Sequence, residues 1–148
     1  MAPSFKWPHI KYSARRVLAV ETSCDDTAVA VIENGGKILS NIVTKQHRLH
    51  AKYGGIVPQV ASQAHRAHLP NCIYDALQTA GVGLCDIDFL AVTRGPGLSR
   101  CLATGFDTIN TLAAIHRIPC FHINHLVSNS ELLAYINSYL LGGAHPCR

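Results

Sequence analysis

The sequence predicts an α/β fold with a mixed sheet of about five strands, in which a three-strand meander is followed by parallel strands and helices. Residues 17–22 and 27–33 are apolar and partly β-branched, which favours strands. An Asn-Gly-Gly turn leads into a third such run at 37–44, so these segments are expected to form an antiparallel meander. Apolar side chains then recur at helical spacing in 58–80 and 98–115.

Shorter patterns complete the predicted order of elements. Residues 87–93 and 120–123 are expected to form strands four and five, parallel to strand one, and residues 126–140 to form a further helix. The segment KQHRLHAKYGG is interpreted as a polar loop. The resulting β-β-β-α-β-α order is that of the ribonuclease-H-like plan, which occurs twice in the actin-like ATPases.

Composition and charge indicate one lobe preceded by a basic leader. The chain has 148 residues, of which 48% are hydrophobic, enough for a single core over residues 17–148. Residues 1–16 contain four Lys or Arg and no acid, while the remainder has equal numbers of acidic and basic residues. The leader suits a mitochondrial presequence, although Pro3 and Pro8 interrupt an amphipathic helix. Mitochondrial localisation is expected, with a leader of no consequence and a cytoplasmic protein as the alternative.

Two classes of protein are disfavoured. No apolar stretch reaches the roughly 18–20 residues that a membrane span needs, so no membrane partner is expected. The six cysteines are scattered and form no C-x-x-C pair, so they are interpreted as reduced, buried thiols rather than as a disulfide framework.

The segment VLAVETSCDDTAVAV contains a strongly polar interruption between two apolar strands. A plain hairpin needs only two turn residues such as Asn-Gly, whereas six mostly polar residues stand here. In the ribonuclease-H-like plan this turn faces the ligand, so we expect a site that meets phosphates through a metal or water. A solvated hairpin rich in Asx turns is the alternative. The six residues are Glu21, Thr22, Ser23, Cys24, Asp25 and Asp26.

Four separated motifs carry a specific resemblance. They are VLAVETSCDDTAVAV, KYGGIVPQVASQAHRAHL, DIDFLAVTRGPGLSRCLATG and IPCFHINHL, in that order over residues 17–126. Together they resemble the tRNA N6-adenosine threonylcarbamoyltransferases, of the bacterial and mitochondrial type, formerly called glycoproteases or O-sialoglycoprotein endopeptidases.

The resemblance implies a transferase that moves threonylcarbamoyl from its adenylate, made from ATP, to N6 of adenosine 37 in tRNAs that read ANN codons. The family fold has two actin-like lobes with nucleotide and a divalent metal, zinc or iron, between them. Partners implied are tRNA and a homodimer or related paralogue joined through the first lobe. Asp25 and Asp26 match the family's catalytic acids, and the expected substrate-binding residues are Glu21, Thr22, Ser23, Gly95 and Gly97.

The metal site departs from the family pattern His-Met-Glu-Gly/Ala-His. His125 occupies the first ligand position, but Asn129 occupies the second, and an amide oxygen is a poor ligand for zinc or iron. A metal is therefore not expected to bind stably. His65 and His68 lie in the family's Gln/Arg-x-His helix and are expected to support packing or the rim of the tRNA groove.

Family members are more than twice as long as this chain, so the resemblance covers the first lobe only. We therefore expect a fragment or a metal-deficient short form. A non-catalytic paralogue that dimerises within the same tRNA-modification system is the alternative. A small ATPase or sugar kinase of the same superfamily is disfavoured, because the first turn lacks the Asp-x-Gly-x-Thr phosphate clasp.

Overall fold

A computed structural model describes residues 15–126 of the chain, and these residues contain a single mixed sheet. Of the predicted leader, only residues 15 and 16 are described. Of the helix predicted at 126–140, only residue 126 is described. The strands follow in the spatial order β3-β2-β1-β4-β5. They are β1 (Arg16–Glu21), β2 (Asp26–Glu33), β3 (Lys37–Lys45), β4 (Phe89–Gly95) and β5 (Cys120–Asn124).

The directions of the strands confirm the predicted sheet. Strands β1 and β2 are antiparallel with Val20 opposite Val29, and β2 is antiparallel to β3. Strand β1 runs parallel to β4 with Leu18 beside Leu90, and β4 runs parallel to β5. The carboxyl ends of β1, β4 and β5 therefore meet at one edge of the sheet, where ligands bind in open α/β folds.

The helices are α1 (His47–His50), α2 (Pro58–Ala80) and α3 (Ser99–His116). Helix α2 begins with a proline after the extended Val57, and it ends at Gly81, whose φ of 67° closes the C-terminus. The loop predicted after β3 is wrong for residues 47–53, which form α1 and a short 3₁₀ turn. Within residues 15–126, no helix is long and apolar enough to cross a membrane.

Both long helices pack against the same face of the sheet. Alternate residues of the central strands, such as Leu18, Val29 and Leu90, are buried there against Leu69 of α2 and Ile109 of α3. The opposite face carries a smaller cluster around Val17 and Ala91. The carboxyl edge of the parallel strands is thus supported by a hydrophobic core on one face of the sheet.

The cysteines only partly follow the prediction of buried thiols. Cys72 and Cys101 are buried, whereas Cys24 and Cys85 are exposed, so the prediction is wrong for the latter two. Cys24 stands in the bend between β1 and β2 and Cys85 in a short 3₁₀ helix before β4, so neither thiol lies in the core. All five cysteines between residues 15 and 126 are free.

Candidate functional site

The polar turn between β1 and β2 lies at the carboxyl edge of the parallel strands. Strand β1 ends at Glu21 and β2 begins at Asp26, so residues 22–25 form the connection, here called the acid turn. Asp25 and Asp26 are half-buried, which differs from the full exposure expected of a solvated hairpin. The two candidate catalytic acids therefore stand at the ligand-binding edge and are partly shielded from water.

Glu21 is the centre of a hydrogen-bonded cluster. Its carboxylate accepts hydrogen bonds from the Ser23 backbone N–H and from the Thr93 hydroxyl. Oε2 of Glu21 also lies 3.1 Å from Nδ1 of His125. Burial alone would raise the pKa of Glu21, but hydrogen bonds from Ser23, Thr93 and His125 outweigh it and lower the pKa below its usual 4.5. Glu21 is thus an anion that ties β1 to the ends of β4 and β5.

The Gly-Pro-Gly turn after β4 packs directly on the acid turn. The Leu98 N–H donates to the Ser23 carbonyl at 2.8 Å, and the His125 N–H donates to the Gly95 carbonyl at 2.8 Å. A Cβ atom at Gly97 would lie 2.6 Å from the Ser23 carbonyl oxygen, so only glycine allows this approach. Gly95 and Gly97, predicted as substrate-binding residues, therefore also fix the shape of the site.

The predicted contact between Thr22 and a substrate needs correction. The Thr22 side chain has no exposed surface, and its hydroxyl donates to the Cys101 carbonyl at 2.9 Å. Helix α3 can come this close because Gly105 has no side chain. A Cβ atom there would lie 2.5 Å from the Thr22 hydroxyl oxygen. Thr22 turns under α3 rather than towards solvent, so it anchors the helix to the end of β1.

Ser23 and His125 meet at the same edge. Ser23 is almost completely buried, and its hydroxyl lies 3.2 Å from Nδ1 of His125. The imidazole is therefore oriented by Nδ1, as in histidines whose second nitrogen binds metal. Between residues 15 and 126, however, no group of three or more His, Cys, Asp or Glu could hold a metal ion. The described residues supply one imidazole nitrogen for a metal, and Asn129, at the second position of the family pattern, lies outside them.

His65 lies in the core, while His68 is half-buried. The His65 side chain has no exposed surface and its two ring nitrogens face Thr27 and the Cys24 carbonyl. This placement agrees with the packing role expected for His65 and not with a position on a groove rim.

Sequence reasoning missed several polar residues that hold the site together. Thr93 could have been found, because it is a hydroxyl residue at the end of a predicted parallel strand. Gln46 and His50 belong to a segment that was interpreted as a polar loop, although both side chains are buried. A polar segment that folds back as a short helix leaves no clear periodic signal.

Comparison with known proteins agrees with these motifs. The sequence profile described as tRNA N6-adenosine threonylcarbamoyltransferase matches residues 37–137, more than half of the chain. The chain belongs to this family. The transferase from Geotalea uraniireducens (strain Rf4) is 47% identical over 113 residues, which cover 76% of this chain and 33% of that protein. The transferase from Limosilactobacillus reuteri (strain DSM 20016) is 42% identical over 135 residues, covering 86% and 39%.

Solved structures agree with the ribonuclease-H-like and actin-like fold. YeaZ from Pseudomonas aeruginosa has a TM-score of 0.58 and 24% identity, covering 88% of this chain and 51% of that chain. A second structure, of a protein described as similar to peptidase YEAZ from Pseudomonas aeruginosa, has a TM-score of 0.59 and 25% identity, covering 88% and 50%. The predicted fold and family are confirmed. The chain spans about two fifths or less of the threonylcarbamoyltransferases it matches.

Proposed function

We propose that this chain forms the first lobe of a threonylcarbamoyltransferase and supplies the acid-bearing half of its site. The observation that carries this proposal is the position of Asp25 and Asp26. They lie half-buried at the carboxyl edge of the parallel strands, Asp25 as the last residue of the acid turn and Asp26 as the first of β2, and the acid turn is held by Glu21 and packed against Gly97. Family membership supplies the reaction class.

The proposed reaction moves a threonylcarbamoyl group from its adenylate to N6 of adenosine 37 in tRNA. The N6 nitrogen attacks the carbamoyl carbon, the bond to the phosphate oxygen breaks, and AMP leaves with that electron pair. The amine must lose a proton in this step, and a carboxylate within hydrogen-bond reach can accept it, which is worth roughly 10²–10⁴ in rate. We assign this task to the pair Asp25 and Asp26. No step is assigned to a metal, because the described residues offer a single imidazole for it.

Preorganisation of the acids falls to their neighbours. Glu21 and Ser23, predicted as substrate-binding residues, already bond to each other and to His125. Their proposed role is to keep the acid turn in one geometry, so that no reorganisation is needed when charge develops in the transition state.

Contact with tRNA is proposed through exposed basic residues near the start of α2. Lys45, Arg48, Lys52 and Arg66 are all exposed in the structure. Each phosphate contact should add about one unit to the slope of log affinity against log salt concentration. Replacing Arg48 and Lys52 with Gln should reduce that slope, while Lys37→Gln at the opposite end of β3 should leave it unchanged.

Two further assignments remain proposals. The basic leader supports mitochondrial localisation, with the cytoplasm as the alternative, and a reporter fused to residues 1–16 would separate them. We also propose that this lobe forms a homodimer or a dimer with a related paralogue. Measuring the mass of the protein in solution, alone and with the paralogue, would test this proposal.

A non-catalytic paralogue is the second candidate. The single imidazole at His125 favours it, since the described residues offer no complete metal site. Against it, the chain is 42–47% identical to proteins named as transferases but only 24–25% identical to the YeaZ-related structures.

A chimera distinguishes these candidates. Residues 17–126 would replace the matching segment of the Geotalea uraniireducens transferase, and threonylcarbamoyl adenosine in tRNA would be quantified by mass spectrometry. A competent first lobe should retain activity within about tenfold of the parent, or about 1.4 kcal/mol of barrier. A folded chimera that makes no modified tRNA would support the non-catalytic paralogue instead.

A further inference from the structure

A chain of buried polar side chains links the start of α2 to the acid turn. The backbone N–H of Val57 lies 3.3 Å from Nδ1 of His50, and Nε2 of His50 lies 3.2 Å from Oε1 of Gln46. Nε2 of Gln46 is 3.3 Å from Nδ1 of His65, and Nε2 of His65 is 3.1 Å from the Cys24 carbonyl oxygen. We call these three side chains, His50, Gln46 and His65, the buried relay.

The chemistry of the two ends fixes the direction of every bond. A backbone N–H can only donate, so Nδ1 of His50 accepts and its Nε2–H donates to Gln46. The Gln46 amide nitrogen then donates to Nδ1 of His65 and also faces the Ala61 carbonyl at 3.4 Å. A carbonyl can only accept, so Nε2 of His65 carries the proton given to Cys24. Reversing any member would place two donors or two acceptors face to face.

This direction requires His65 to be neutral. A proton on Nδ1 of His65 would face the Gln46 amide hydrogens, and with Nδ1 unprotonated the Thr27 hydroxyl, 2.8 Å away, can donate to it. Burial lowers the pKa of His65 below 6.5, and the charge of His68 lowers it further, while the Cys24 carbonyl and the carboxylates of Glu21 and Asp25 act the other way. The side chain has no exposed surface.

We propose that His65 is a positioning residue, which holds the acid turn through the Cys24 carbonyl and is itself held by Gln46 and His50. The link is specific because Cys24 directly precedes Asp25, so fixing its carbonyl fixes the peptide that leads into both acids. Its importance for catalysis rests on the proposed function above. The relay itself is a property of the folded chain and can be measured without any transfer reaction.

Cys24 provides a built-in reporter of the acid turn. Its thiol is exposed, and its pKa is raised, first by burial and then by the hydrogen bond and charge of Asp25. A turn that loosens should separate the thiol from Asp25 and speed alkylation at pH 8. Cys85 is a suitable internal reference, because it is also exposed but stands in the short 3₁₀ helix before β4, away from the relay.

The test measures the alkylation rate of Cys24 relative to Cys85 in the full chain, by peptide mass spectrometry with iodoacetamide. His65→Leu should raise this ratio several-fold, because the Cys24 carbonyl loses its donor. His65→Gln should restore most of the wild-type ratio, since a Gln amide can still donate there. His50→Leu should raise the ratio without touching Cys24, whereas His68→Leu, one helical turn from His65, should not change it.

The opposite results would overturn the proposal. Equal ratios in wild type, His65→Leu and His50→Leu would show that the relay does not hold the turn. If His65→Leu fails to fold, labelling of the buried Cys72 and Cys101 will reveal it. Nitrogen NMR of the wild-type His65 ring then decides. The neutral Nε2–H form should be the main form at pH 7.5 and also at pH 6.5, where a free imidazole is half protonated, and an Nδ1–H form or an imidazolium as the main form there contradicts the relay.

These outcomes are separable from the proposed function. An inactive chimera with an intact Cys24 ratio would count against transferase activity and leave the relay standing. An active chimera that tolerates His65→Leu with an unchanged turnover number would remove the positioning role from catalysis. Loss of turnover, with rescue by His65→Gln and little change in KM, is the expected result.

Discussion

Nδ1 of His125 lies 3.1 Å from Oε2 of Glu21, although 104 residues separate them in the sequence. The contact joins the end of β5 to the end of β1, across the intervening strand β4. It follows that the candidate metal ligand and the acid turn share one carboxylate. This geometry makes the two predicted parts of the site a single cluster.

Removing the charge of Glu21 should destabilise the fold. Glu21→Gln keeps the size of the side chain but weakens its bonds to Ser23, Thr93 and His125. We expect the free energy of unfolding to fall by about 1–2 kcal/mol, because hydrogen bonds to a charged group are lost at a side chain that is only partly buried. Urea unfolding would measure it. Glu33→Gln, which breaks an ion pair with Arg16, is the control and should cost about 1 kcal/mol or less.

Adding one methyl group at Gly97 should also be costly. The Cβ of Gly97→Ala would lie 2.6 Å from the Ser23 carbonyl oxygen, which is backbone and cannot turn aside. Overpacking of this kind costs about 1–3 kcal/mol. Gly55→Ala is the matched control, since no atom lies within 4 Å of its Cβ, and it should be near neutral. Equal melting temperatures for the two variants would contradict the close packing of the two turns.

The stability of the protein should depend on pH through His65. Its pKa in the fold is lowered from 6.5, so the unfolded chain binds this proton more readily. The stabilisation is complete above about pH 6.5 and is lost as pH falls through that value towards the folded pKa. The groups that face this imidazole are His68, Glu21 and Asp25.

A variant without the imidazole isolates this contribution. The difference in unfolding free energy between wild type and His65→Gln should shrink as pH falls from 7.5 to 5.5. A difference that is constant over this range would mean that folding does not shift the pKa of His65, and one that grows towards acid would mean that folding raises it; either result contradicts a neutral, buried His65.

Much of the fold could be predicted because apolar residues recur at strand or helix spacing in most of its elements. Helix α2 occupies the predicted residues 58–80, and the five predicted strands and the predicted helix at 98–115 agree with the structure within two residues at each end. Strands with one buried face are indicated by the alternation of Leu18 and Val20 in β1 and by the β-branched residues of β2. The helix at residues 47–50 was not predicted, because it is only four residues long and its only buried side chain is the polar His50.

The candidate site was only partly predictable, for a physical reason. The acids interrupt an apolar run, so they can be recognised from the sequence alone. The contacts that hold them come from Thr93, His125 and His65, which are 41 to 104 residues distant from their partners. Such contacts depend on the parallel register of β1 with β4 and β4 with β5, which no local pattern reveals. The burial of Thr22 likewise depends on Gly105, in another element.

The most direct test of the account is transfer activity after neutralising the two acids. Asp25→Asn and Asp26→Asn, together in the chimera, keep the shape of the turn and remove both candidate bases. Asp75→Asn, exposed on α2, is the control. We predict that the double variant folds like the parent but modifies tRNA at least a hundredfold more slowly, at the lower end of the contribution of a general base. Unchanged tRNA modification by a well-folded double variant would contradict the central claim.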